Sequence, residues 1–300
     1  MEGSAQRSGG GGQKGLQIPV HFTYRDQFLS GPSLDIVPNP DIAKKLSGIT
    51  IDDSKEPKLD KSILNKTELR SNVHKFSAIT PEMQDAIAKA FEGDKLDKVS
   101  GDIKRQDLYR LTGVQQANDI LIDEYFKLIE NRSLDSHRKL PLLYSYNTFA
   151  YAKMGTDAGN AQISNQFKKE FNVTDYSLLV VPINHKNHWL FVCGDLAKKS
   201  LQLYDSAAHY LCLDHPVMLA NVKSYLKFEL KKRNVDLIDN EWSESVKIVP
   251  QQENRVDCGY FSMKILDYVS RCVKPDFEQK DMLFFKKEMI YELLSKTLVN

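Results

Sequence analysis

The stretch Pro250-Gln251-Gln252-Glu253-Asn254-Arg255-Val256-Asp257-Cys258-Gly259 runs directly into a helical pattern of apolar residues at Phe261, Ile265, Tyr268 and Val269. It is a loop that delivers a cysteine to the start of a helix. Two upstream segments, Asn187-His188-Trp189 and Tyr204-Asp205-Ser206, add an imidazole and a carboxylate, and Gln252 adds a side-chain amide. Thiol, imidazole, carboxylate and amide together are what a cysteine needs to attack an acyl carbon. Their chain order is His, Asp, Gln, Cys; such sets are recognised by geometry and role, so the order is no objection.

Geometry is partly legible in the spacing. Residues 189–193 and 201–204 are short runs rich in β-formers, separated by the polar, turn-like segment 194–200. That pattern predicts an antiparallel hairpin. Opposed residues in a hairpin keep a constant index sum, and a sum of 393 sets His188 opposite Asp205 with the turn centred between Leu196 and Ala197. Both residues then stand at the open end of the ladder, where a slip of one or two residues leaves them neighbours.

Asp257 is placed to cap the helix that follows, which puts Cys258 in its first turn. Unpaired N–H groups and the helix dipole favour a thiolate there. Gly259 leaves room for a substrate backbone beside the sulfur. Gln252, on a loop leaving a strand at 246–249, is placed to donate its amide N–H to an oxyanion, a contact worth about 3–4 kcal/mol in the transition state. Each piece also has a plain structural reading. A cysteine at a helix start is a buried filler roughly three times in four, and His188, Asp205 and Asp257 could be edge, turn and cap residues. Hairpin register, helix-start thiol and upstream amide nevertheless agree independently.

On these residues the chain resembles the Ulp/SENP proteases, which process SUMO-type modifiers. His188-Trp189, Tyr204-Asp205-Ser206 and Gln252 with Cys258-Gly259 carry the resemblance. The segments at 76–83, 105–108, 118–119 and 146–149 and the last helix extend it, in order, over roughly residues 72–298. The resemblance implies an α+β, papain-like cysteine protease fold with a central mixed sheet flanked by helices. It makes His188 the general base, Asp205 its orienter, Cys258 the nucleophile and Gln252 the oxyanion donor. It sets Trp189 and Gly259 beside a narrow tunnel for the modifier's di-glycine tail, and Asn118 and Asp119 at the modifier-binding surface. One position departs from the pattern: Gln116 stands where the family usually has a tunnel Trp, beside Ala117 in place of a larger apolar residue. This implies a looser or more polar tunnel.

The implied activity is hydrolysis of the peptide or isopeptide bond after the C-terminal Gly-Gly of a SUMO-type modifier, by a monomeric catalytic domain without cofactor. Two rivals are kept. One is the same chemistry on a Nedd-type modifier or ubiquitin; the other is a catalytically weakened modifier-binding protein.

The remaining signals fit this reading. The chain has 300 residues, 41% hydrophobic and 27% charged, the composition of a globular protein. A formal net charge of +1 offers no attraction to nucleic acid or to a membrane surface. No apolar run reaches membrane-spanning length and no signal-peptide pattern is visible. The four cysteines, 193, 212, 258 and 272, have no C-x-x-C spacing and read as reduced thiols in a nuclear or cytoplasmic protein that is not secreted. The pair His185 and His188 lacks a third ligand at useful spacing, so a metal site is disfavoured at under about one in ten. His209 and His215 flank a turn and are expected to face solvent.

Residues 3–15 are Gly- and Ser-rich, as in added or linker sequence, and 1–70 is expected to be a flexible N-terminal segment ahead of a protease domain over 71–300. Within that domain Thr80-Pro81-Glu82 starts a helix that Gly93 stops, 107–111 forms a short helix, and Asn118 caps a helix over 119–131. Further helices are expected over 161–171, 216–233 and 280–298, with a buried central strand at 177–183. Helices flanking a run of strands make the class α+β.

Overall fold

Residues 76–167, 171–208 and 214–299 are described by the computed structural model. The segment 1–70, the domain start near Ser71, His209 and Cys212 lie outside them. Helix α1 (Pro81–Ala90) begins as expected: the Thr80 hydroxyl accepts the Met83 N–H at 3.2 Å, and Met83 and Ile87 turn inward. It ends ahead of Gly93, whose φ of +104° costs glycine little. A small ribbon of β1 (Lys98–Ser100) and β2 (Ile103–Lys104) leads into α2 (Arg105–Thr112). This helix starts earlier than 107 because the Asp107 carboxylate reaches back to the Lys104 N–H at 2.8 Å. Asn118 caps α3 (Asp119–Ser133), its Oδ1 accepting the Leu121 N–H at 3.1 Å.

Five strands form the main sheet in chain order: β3 (Leu143–Ser145), β4 (Leu178–His185), β5 (His188–Asp195), β6 (Ser200–Tyr204) and β7 (Ser243–Lys247). The outer pairings are parallel and the two inner ones antiparallel, so the sheet is mixed. Helices α3, α6 (Cys258–Ser270) and α7 (Met282–Ser295) cover one face through Leu178, Val180 and Phe191. Helices α4 (Asp157–Ser164) and α5 (His215–Lys231) cover the other through Leu179, Val181, Leu190 and Leu203. Burial on both faces is why 177–183 reads as a near-continuous apolar run.

Four further expectations are corrected. The helix expected over 161–171 is α4, which starts earlier because the Thr156 hydroxyl caps it by accepting the Gly159 N–H at 3.2 Å, and which ends at Asn165. The strand expected at 246–249 is β7; its extent follows its parallel partner β6, from Ser200 opposite Ser243 to Tyr204 opposite Lys247, rather than its own apolar residues. The last helix is shorter than 280–298 and stops where Lys296 turns left-handed at φ +54°. The β5–β6 hairpin has an index sum of 395, as in Phe191 opposite Tyr204, instead of 393. A slip of two keeps every side chain on its face, whereas a slip of one would reverse them all. His188 and Asp205 therefore share the face of Leu190 and Leu203 and meet diagonally.

Between α3, α6 and α7 lies a fully buried charge cluster. Lys264 Nζ stands 2.6 Å from Glu288 Oε2 and 3.4 Å from Asp267 Oδ2, and Asp267 also pairs with Arg132 at 2.6 Å. Such clusters contribute little net stability but cost much when one charge is orphaned. Lys264→Met is expected to destabilise the protein by about 3–5 kcal/mol in urea unfolding. The double variant Lys264→Met/Glu288→Leu should recover part of that loss. A single variant as stable as wild type would show that the charges are not paired as described.

Candidate active site

The two-residue turn Lys186-Asn187 brings β5 back along β4, with φ of +52° and +62° at its two residues. Both central residues of a type I′ turn have positive φ, which Asn tolerates well. His188 is the first residue of β5 after that turn, and Asp205 is the first residue beyond β6. Their rings and oxygens meet in the interior: His188 Nε2 lies 2.6 Å from Asp205 Oδ1, with the histidine 3% and the aspartate 0% exposed. The second carboxylate oxygen is held by His215 Nε2 at 2.8 Å, and the Ala207 N–H adds 2.8 Å to Oδ1.

These contacts set the charges. Burial alone would raise the Asp205 carboxyl, but the hydrogen bonds from His188 and His215 outweigh it and hold it well below the usual carboxylate range. Burial likewise opposes a charge on His188. Its hydrogen bond to Asp205 and its interaction with the Cys258 sulfur overcome that and push the imidazole up to about 10. At neutral pH the ring is therefore protonated. Its Nδ1 is buried and makes no formed hydrogen bond among the described residues. Contacts of this kind commonly tighten only when substrate is bound.

Cys258 is the first residue of α6 and is 1% exposed. Asp257 precedes it as expected but does not cap the helix with its side chain. At φ −89° and ψ 0° its backbone is outside the extended region from which a cap reaches the next turn. Its carboxylate is spent on Lys286 Nζ at 2.5 Å, and on Gln279 Nε2 and Asn254 Nδ2, both at 2.7 Å. Asp257 thus ties the start of α6 to α7. The loop before it is tied down as well, since Asn254 Oδ1 accepts the N–H groups of Val256 and Asp257, both at 2.9 Å.

Gln252 is 0% exposed and aimed by Ser206, whose hydroxyl donates to Gln252 Oε1 at 2.8 Å and whose carbonyl accepts the Gln252 N–H at 2.8 Å. One N–H of the Gln252 amide donates to the Asn254 carbonyl at 2.5 Å. A carboxamide has two such donors, so one is left for another acceptor.

Among the residues expected to contact substrate, Trp189 is buried, its indole N–H donating to the Ala117 carbonyl at 2.9 Å. Gly259 packs against that same segment: a Cβ there would fall 2.7 Å from Ala117 Cβ and 3.2 Å from Trp189 Cδ1. The close approach that this glycine permits is between α6 and the Ala117 segment. Gln116 is also buried, and its amide donates to the Arg255 carbonyl at 3.0 Å, bracing the Gln252–Cys258 loop. Asn118 spends its amide within the fold, on the α3 cap and on Asp107 Oδ1 at 2.9 Å. Asp119 opens α3 and is partly exposed.

Sequence reasoning missed three contributors. His215, expected in solvent, is largely buried against Asp205, because the N-terminus of α5 closes over the end of β6. Gln251 Nε2 donates to the Asp205 carbonyl at 3.0 Å. Ser206 aims Gln252, and its place directly after Asp205 in Tyr204-Asp205-Ser206 is the one signal the sequence offers. Among the described residues no cluster of three or more His, Cys, Asp or Glu is arranged to hold a metal ion.

Residues 115–298 match the family model described as Ulp1 protease family, C-terminal catalytic domain. A sentrin-specific protease of Caenorhabditis elegans is 30% identical over 269 residues, covering 86% of this chain and 36% of that protein. Sentrin-specific protease 2 of Rattus norvegicus is 34% identical over 233 residues, covering 74% of this chain and 38% of that protein. The chain thus spans under two fifths of the length of these curated relatives. Among solved structures, the C-terminal Ulp1 protease domain in complex with Smt3, the yeast ortholog of SUMO, is 22% identical with a TM-score of 0.60, over 72% of this chain and 96% of that one. The catalytic domain of the Chaetomium thermophilum Ulp1-like SUMO protease is 16% identical with a TM-score of 0.62, over 74% and 92%. These likenesses show the fold, the α+β arrangement of a mixed sheet between helices.

Proposed function

Since the chain belongs to the Ulp1 protease family, we propose that it is a deSUMOylating cysteine protease, cleaving the peptide or isopeptide bond after the C-terminal Gly-Gly of a SUMO-type modifier. The observation that carries this reading is the buried His188–Asp205 pair, whose imidazole interacts with the sulfur of Cys258 at the start of α6. Cys258 Sγ, its proton held by His188 in an ion pair, attacks the carbonyl carbon of the modifier's terminal glycine. The oxyanion is received by the remaining N–H of Gln252 and the backbone N–H of Cys258. His188, protonated at neutral pH, gives its proton to the departing amine as the C–N bond breaks. Water then adds to the thioester, one of its protons passing to His188 and the other to solvent as the C–S bond breaks, which frees the modifier's carboxylate and restores the Cys258 thiolate beside protonated His188.

Trp189, Gln116, Asn118, Asp119 and Gly259 are the residues we assign to the modifier's tail and docking surface. The partners are a SUMO-type modifier and its conjugates, as the names of the relatives and of the Smt3 complex suggest. No cofactor enters the chemistry. A thiol nucleophile needs a reducing setting, which we take to be the nucleus or cytoplasm.

A panel of modifiers carrying a fluorogenic C-terminal amide tests the reading. The SUMO-type substrate should be turned over, and the ubiquitin and Nedd-type ones left intact. Turnover of ubiquitin alone would overturn the substrate class. Tight SUMO binding without turnover would overturn the activity.

A further inference from the structure

We propose that His215 is a positioning residue for this reaction: it fixes the plane of the Asp205 carboxylate and, through it, the aim of the His188 ring. The inference rests on the protease reading and adds to it a residue outside the four expected catalytic groups.

A carboxylate held by one oxygen can swing about its last side-chain bond. Asp205 is held by both. Its Oδ1 takes His188 Nε2 at 2.6 Å and the Ala207 N–H at 2.8 Å, and its Oδ2 takes His215 Nε2 at 2.8 Å. Rotation would break all three together. An ionised carboxylate only accepts, so His215 must carry its proton on Nε2.

His215 also sits on a firm support. It is the first residue of α5, which is seated on the sheet by Met218, Val222, Tyr225 and Leu226. The residue before it acts on the other half of the pair. Asp214 Oδ2 stands 2.9 Å from Nε2 of His185, the last residue of β4, and accepts from Nζ of Lys186, in the turn that leads to His188, at 3.4 Å. The dipeptide Asp214-His215 thus grips the turn before the imidazole and the carboxylate behind it. Among the described residues, the charged and titratable groups near His215 include Asp205, His188 and His185 from the sheet, Asp214 from its own helix end, and Lys186 from the turn. Outer partners that orient a reacting group in this way hold it in productive geometry without touching substrate.

The test compares His215→Ala and His215→Gln with wild type in two assays. The first is steady-state cleavage of a SUMO-type C-terminal amide. The second needs no modifier: the pH profile of iodoacetamide alkylation, read at Cys258 by peptide mass. Loss of the donor should lower kcat by at least about tenfold with KM within about twofold, since small misplacements near the chemistry are costly. The alkylation profile should shift with it. His215→Gln, which restores an N–H donor, should recover most of both. A wild-type kcat and profile in His215→Ala overturns the proposal. So does a loss that glutamine does not mend and that leaves the profile unmoved, which marks a structural role only. If wild-type protein cleaves no modifier but the alkylation profile still shifts in His215→Ala, the positioning role stands and the substrate reading falls.

Discussion

Replacing Cys258 with serine is expected to remove turnover, with kcat falling by a factor on the order of 10⁶, as when other hydrolases lose their nucleophile. A hydroxyl in the sulfur's place is far less readily ionised, and the imidazole at 188, protonated up to about 10, is poorly suited to take its proton. The fold should hardly notice. Cys258 is buried at the first turn of α6, and serine is a close match in size. The variant should melt near wild type and should trap an uncleaved conjugate. Single-turnover cleavage of a SUMO-type fusion, with thermal melting as the control, decides it. Residual cleavage at wild-type rates would mean that another thiol does the chemistry; Cys193, buried within β5, and Cys272, partly exposed beyond α6, are the other described cysteines.

Asp205→Asn should come next in effect, lowering kcat by about 10³–10⁴ with little change in KM, the scale seen when a triad carboxylate becomes an amide. An amide has one acceptor oxygen, whereas Asp205 now accepts from His188 on one oxygen and from His215 on the other. One of the two histidines must then lose its donor role or turn away. The substitution also has a signature in stability. The carboxyl of Asp205 has a depressed pKa when folded, so its contribution is present above the ordinary carboxylate value and is lost as pH falls through the folded value. The pKa of His188 is raised, so its contribution is present below the ordinary imidazole value and is lost as pH rises through about 10. The two contributions belong to one ion pair and count once. Urea unfolding across pH should show wild type losing stability on both flanks, and Asp205→Asn with both losses blunted. Parallel pH profiles for the two proteins would contradict the pairing.

Local signals carried much of this architecture. Thr80 and Asn118 announce their helices because their side chains cap the next turn, and that chemistry needs no distant partner. The run at 177–183 announces a strand buried on both faces. The hairpin index sum missed by two, because length and polarity locate a turn only loosely, yet the faces survived and so did the meeting of His188 with Asp205. Where outcomes hang on distant residues, the sequence is silent. Asp257 looks like a cap, but Lys286 and Gln279, more than twenty residues away in sequence, claim its carboxylate. His215 looks like a turn residue, and only the docking of α5 over β6 turns it inward. The polar strand β7 exists because β6 offers it a parallel edge.

Intact-mass and peptide mapping after exposure to a SUMO-type modifier bearing a C-terminal electrophile tests the central claim most directly. It asks which atom of this protein meets the end of the modifier. One adduct, on Cys258, abolished in His188→Ala, is the expected result. Labelling at Cys193 or Cys272 instead, or labelling of Cys258 that does not depend on His188, would contradict it.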